Sequence, residues 1–142
     1  MSAVVGGNAW SAGGVAGSPA AATYEYSAAD TSILIVGHRI YADGSGSSVT
    51  LFTRTFAGPG THPLARVTNA TLGGQASFKT YTAAPVVTTT CATDATYTGT
   101  LTGTLFDLIH RDIKGSFSFT GYDAVSVALT NVTSGSFDVS FS

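Results

Sequence analysis

Apolar and polar positions alternate with period two along nearly the whole chain, the pattern of strands that bury one face. The clearest run is 113–121, where Ile113, Gly115, Phe117 and Phe119 fall on one side and Lys114, Ser116, Ser118 and Thr120 on the other. In 136–141, Phe137, Val139 and Phe141 alternate with Ser136, Asp138 and Ser140, and Val125, Val127 and Leu129 read as a third buried stripe. Segment 32–41 is apolar on both faces at its start, as a central strand would be, and 49–56 reads as a strand ending at Gly58-Pro59-Gly60. Segment 75–81 places Phe78 and Tyr81 on opposite faces, and 97–105 sets Thr98, Thr100, Thr102 and Thr104 against Gly99, Leu101, Gly103 and Leu105. Near the start, 3–5 and 10–12 flank Gly6-Gly7-Asn8, a hairpin turn because Gly and Asn tolerate positive φ. Further turns are expected at Asp43-Gly44-Ser45-Gly46, Gly73-Gly74, His110-Arg111-Asp112 and Thr133-Ser134-Gly135. No stretch keeps helical spacing for three turns, and in the alanine-rich 16–23 Pro19 and the flanking glycines favour a loop. These elements predict one all-β domain over 1–142, an antiparallel β-sandwich or flattened barrel of about nine strands.

Composition narrows the class of protein. At 142 residues the chain can bury a core without metal or disulfide support. Charged residues are only 10%, against about 25% in ordinary soluble domains. A membrane helix does not account for this, because the longest apolar run, Ile33-Leu34-Ile35-Val36-Gly37, falls far short of the roughly 20 residues a span needs. Polarity comes instead from 22 Thr and 16 Ser; Thr suits the solvated face of a sheet, and Ser with Gly suits turns. A net charge of -2 and six scattered basic residues argue against nucleic acid, which requires clustered Lys and Arg. Cys91 is alone and reads as a small buried hydrophobe. The opening Met1-Ser2-Ala3-Val4-Val5 has neither a basic n-region nor an apolar h-region. Strand-forming sequence so near residue 3 suits a mature secreted domain whose leader has been replaced by an initiator Met, with a cytoplasmic chain as the alternative.

The standard catalytic and metal patterns are missing. No Gly-x-Ser-x-Gly elbow occurs. His38, His62 and His110 are available as bases, but a Ser/His/Asp trio is expected by chance in so Ser-rich a chain, and geometry rather than composition defines a triad. The nearest metal-type cluster, Asp107, His110 and Asp112, lacks paired His at fixed spacing and reads as a solvated turn. Asp43-Gly44-Ser45-Gly46-Ser47 lacks the further carboxylates of a calcium loop, and Glu25, the single Glu, is poor material for a glycosidase. Gly13-Gly14-Val15-Ala16-Gly17 is not followed by a helix, so it is no phosphate loop. No catalytic residue, cofactor or metal is therefore expected. The sequons Asn69-Ala70-Thr71 and Asn131-Val132-Thr133 are no more than this composition produces by chance. The Thr98–Thr104 ladder is one row, where an ice-binding face needs several.

Binding candidates are aromatic. Tyr24 and Tyr26 share one face of their strand, and Tyr41 is a further aromatic; exposed, such rings stack on the CH faces of sugars. Trp10 is assigned to the core.

Three stretches together resemble a family of small, uncharacterised bacterial surface lipoproteins. Ala3-Val4-Val5-Gly6-Gly7-Asn8-Ala9-Trp10-Ser11-Ala12 is similar to that family's opening "A-x-I-D-G-K-x-W-x-A", and Pro59-Gly60-Thr61-His62-Pro63-Leu64 to its "G-T-Y-x-L". Gly99-Thr100-Leu101-Thr102, Asp107, Ile113-Lys114-Gly115-Ser116-Phe117-Ser118-Phe119 and Gly135-Ser136-Phe137-Asp138-Val139 resemble its C-terminal third. The resemblance implies a lipid-anchored or secreted β-domain and no assigned activity. Two departures stand out: Gly6-Gly7 replaces an acidic-Gly turn, and Leu108-Ile109 places an apolar pair at a usually polar hairpin tip, where it would form a contact surface. The expected function is a non-catalytic secreted or cell-surface module that binds a protein partner, self-associates through sheet edges, or takes a glycan, at Tyr24, Tyr26, Tyr41, Leu108 and Ile109. The alternative is a closed barrel carrying a small apolar ligand, with a hydrolase third.

Overall fold

The alternation resolves into eleven strands and no helix among the described residues of the computed structural model, which are 1–13, 22–54, 56, 58–65 and 73–140. The strands are β1 (Ser2–Val5), β2 (Asn8–Ser11), β3 (Ala22–Ser27), β4 (Ser32–Ile40), β5 (Gly46–Thr53), β6 (Gly60–Leu64), β7 (Gly74–Tyr81), β8 (Thr88–Ala92), β9 (Gly99–Asp107), β10 (Asp112–Asp123) and β11 (Ala128–Ser140). Every strand pairing is antiparallel, in the order β2-β1-β11-β10-β8-β7-β5-β4-β3, with β9 also on β10 and β6 on β9.

The twelve-residue β10 organises this sheet. One edge pairs with β11; the other pairs with β9 over residues 112–119 and then with β8, where Tyr122 faces Ala92. Forking at β10 lets the half made of β3, β4, β5, β7 and β8 fold over the half that carries β11, β1, β2, β9 and β6. The two halves meet across a core that includes Ile33, Ile35, Val49 and Leu51 from one side and Leu101, Ile113, Phe117 and Val132 from the other. Trp10 is buried as expected: its indole N–H donates to Ser47 Oγ at 2.9 Å, and its ring meets Phe78 edge-on at 6.5 Å. Cys91 is buried as well, beside the Thr130 hydroxyl at 3.3 Å.

The β10–β11 hairpin shows why its glycines recur. Gly115 faces Phe137 and Phe117 faces Gly135, so each glycine lies opposite a ring from the other strand. A Cβ on Gly135 would come 2.5 Å from the Phe117 ring, and one on Gly115 equally close to the Phe137 ring. The absent side chains are the space the two rings occupy.

Four expectations need correction. The sheet is not closed into a barrel: the terminal strands β2 and β3 do not pair with each other, and among the described residues between them Gly13 makes a parallel bridge to Arg39 of β4. The strand count is eleven rather than about nine, because β6 and β8 were not expected as strands. The Val125, Val127, Leu129 stripe is exposed. Val125 and Val127 lie in the turn between β10 and β11, where Asp123 accepts hydrogen bonds from Val125 N–H and Ser126 Oγ and Val127 adopts a φ of 54°, and Leu129 sits at the start of β11 opposite Tyr122. Thr133-Ser134-Gly135 is no turn but a β-bulge inside β11, with Ser134 at a φ of 50° opposite the register shift between Phe117 and Phe119. The glycine loop from Gly14, most of the 16–23 loop, the Asn69 sequon and Phe141 lie outside the described residues.

Candidate functional site

β3 and the turn joining β9 to β10 build one site. A cavity of about 230 Å³ is lined by Tyr24, Glu25, Tyr26, Leu108 and Arg111. Successive side chains of a strand point to opposite faces, so three consecutive residues wall one cavity only where it opens along the strand's edge. β4 occupies one edge of β3, which places the cavity along the other.

The opposite wall is positioned by the 108–111 turn. Asp107 Oδ1 accepts the N–H groups of Ile109 at 2.9 Å and His110 at 3.0 Å, and the His110 ring pairs with Asp107 Oδ2 through Nδ1 at 2.6 Å. The His110 N–H, then its ring, hold the Asp107 carboxyl below its ordinary range, and the same hydrogen bond to Asp107 raises His110 above its own. Arg111 completes the turn with a φ of 58°. Beneath the cavity Tyr26 packs on Phe106 at 5.2 Å, and Phe106 packs on the buried Phe56 at 5.0 Å. Burial raises the pKa of Tyr24, with Arg111 opposing and Asp112 reinforcing the shift, so its phenol stays protonated at neutral pH. The lining thus combines an apolar side chain, two phenols and charges of both signs.

Of the five expected binding residues, the structure brings Tyr24, Tyr26 and Leu108 together. Tyr24 is only 6% exposed and Tyr26 leans on Phe106, so neither offers an open ring face as a sugar platform. Ile109 caps the turn, 88% exposed, outside the lining. Tyr41 lies at the far end of β4, under the Arg39 guanidinium at 5.2 Å, and takes no part. Glu25 and Arg111 were missed. The signals available were the single Glu of the chain set between the two Tyr, and a base adjoining the apolar turn.

Other candidate chemistry is dispersed. The His62 ring lies tilted against Phe56 at 4.6 Å and meets the Gly58 carbonyl through Nε2 at 3.2 Å. Asp43 accepts hydrogen bonds from the Ser45 N–H and hydroxyl, as a turn former does. Among the described residues no three His, Cys, Asp or Glu stand close enough to hold a metal ion, and no helix is long and apolar enough to cross a membrane. No family model matches this chain, and neither a curated protein nor a solved structure matches it.

Proposed function

We propose that this is a non-catalytic, secreted or cell-surface binding domain that receives an extended segment of a protein partner along β3, with one apolar side chain entering the cavity. The observation that carries this reading is the convergence of Tyr24, Glu25 and Tyr26, on the terminal strand of the sheet, with Leu108 and Arg111. An added strand gains affinity from main-chain hydrogen bonds, and pockets for its alternate side chains supply specificity. A cavity of about 230 Å³ is smaller than the 300–1,000 Å³ or so of sites for drug-sized ligands, and it suits a side chain better than a carried molecule. The exposed His110–Asp107 pair is taken up in holding the turn and does not line the cavity, which favours binding over hydrolysis. The resemblance to bacterial surface lipoproteins and the low charge support an extracellular setting.

Panning a displayed library of random peptides against the immobilised domain tests this. The expected outcome is enrichment of peptides sharing one apolar position, whose binding drops at least tenfold on Leu108→Glu. No enrichment, or equal binding to Leu108→Glu, overturns it.

A further inference from the structure

The outward face of β6, β9, β10, β11, β1 and β2 carries a second pattern, visible only once the strands are paired. Thr61 faces Thr102, Thr102 faces Ser116, Ser116 faces Ser136, Ser136 faces Ser2, and Ser2 faces Ser11. This is an unbroken row of hydroxyls across six strands. The next row along β10 holds Thr100 and Ser118, and the one after it Thr120 and Asn131. The single Thr ladder of β9 is therefore one column of an array, with neighbours about 4.8 Å apart across strands and about 6.7 Å apart along them.

The array is indented rather than flat. A trough of about 250 Å³ runs over β9, β10 and β11, bordered by the hydroxyls of Thr98, Thr100, Ser118, Thr120 and Thr133. It lies beside the register shift between Phe117 and Phe119 and the bulge in β11, with Phe119 and Val132 also in its lining. Past the Thr120 row on this face lies Tyr122, stacked with Tyr97 at a centroid distance of 5.2 Å and an angle of 25°, both half-buried. At the other limit Lys114 and Asp138 neutralise each other at 2.9 Å. The three rows between carry no ionisable side chain.

We infer that this trough binds a neutral polysaccharide. Hydroxyls both donate and accept, so a rank of them matches the mixed donor and acceptor edge of a sugar chain. Three uncharged rows complement a polymer without charge and offer nothing to an anionic one. The Tyr97–Tyr122 stack adds an aromatic surface at the end of the trough for the CH face of a further ring. The indentation argues against ice, because the bulge interrupts the lattice and the Thr120 hydroxyl is turned to Asn131 at 2.9 Å.

The test is native affinity electrophoresis of the whole chain in gels containing dextran, galactomannan, xylan, mixed-linkage β-glucan or hydroxyethyl cellulose, with polygalacturonate as the anionic control. Retardation is expected in at least one neutral gel and not in polygalacturonate. Ser118→Arg, which places a long charged side chain in the trough, is expected to weaken it at least tenfold, and Tyr122→Ala severalfold. Circular dichroism confirms that each variant is folded; should Tyr122→Ala unfold, Thr100→Arg replaces it with the same expectation as Ser118→Arg. Leu108→Glu leaves retardation unchanged, so this inference and the peptide-binding reading fail separately. Absence of retardation in every neutral gel overturns the inference, as does undiminished retardation of Ser118→Arg. Incorporation into growing ice without retardation by any glycan also overturns it.

Discussion

The two hairpins that share β10 end at opposite poles of the molecule, and both poles expose apolar side chains. At one, Leu108 and Ile109 stand in a turn held by Asp107, and Leu108 leans over β3 to close a cavity with two tyrosines and two opposite charges. At the other, Val125 and Val127 stand in a turn held by Asp123, with Leu129 just inside β11; Val125 is 94% exposed, and the three line none of the cavities described above. The two turns are built alike, by an aspartate that accepts main-chain N–H groups and a residue at positive φ. The difference lies in what each turn faces. An exposed apolar side chain makes a site only where the fold sets polar groups and a second wall against it.

The largest expected effect breaks the first pole from beneath. Phe56→Ala removes the ring that supports Phe106, and through it Tyr26; a fully buried Phe of this kind costs about 3–5 kcal/mol when truncated. Denaturant unfolding measures the loss, and peptide binding at the β3 edge is expected to fall with it. Next comes the shared hairpin itself. Gly135→Ala drives a methyl into the Phe117 ring and is expected to cost about 1–3 kcal/mol, again read from denaturant unfolding.

Those two positions also show what a linear sequence conveys and what it hides. Alternation around Phe117, Phe119 and Phe137 marks β10 and β11 plainly, and Gly6-Gly7, at φ of 54° and 85°, marks the first hairpin. β6 is hidden because it buries little besides Leu64 and contains Pro63, a residue that argues against a strand. β8 is hidden because its first three residues are exposed threonines that show no alternation. Val125, Val127 and Leu129 alternate as a buried strand does, yet period two records a spacing and not which side is covered. For the same reason Tyr24, Tyr26 and Leu108 could be named singly. Their meeting, and the roles of Glu25 and Arg111, depend on how far the sheet folds over, which is set by the fork at β10.

Surface substitutions sharpen the contrast between the poles. Leu108→Glu and Val125→Ser are each expected to change stability by no more than about 0.5 kcal/mol, because both side chains are largely in solvent. Only Leu108→Glu is expected to abolish peptide binding, and paired thermal melts and binding curves check both statements.

The smallest effect is electrostatic and confined to the first pole. His110 has its pKa raised above 6.5, so its contribution to holding the turn is complete below 6.5 and is lost as pH rises through the raised value. Asp107 has its pKa lowered below 3.8, so its contribution is complete above 3.8 and is lost as pH falls through the lowered value. The turn is therefore held most firmly between about pH 4 and 6.5. An NMR titration of the His110 ring is expected to show a pKa above 6.5 that falls in Asp107→Asn, whereas the Asp123 turn shows no response over that upper range.

The most direct measurement of the central claim is an amide chemical-shift map recorded while an enriched peptide is titrated into the labelled domain. The account predicts that the perturbed amides cluster at 24–26 and 108–111, with those of 125–129 unmoved. Perturbations centred on 125–129, or spread without focus over the sheet, would contradict it.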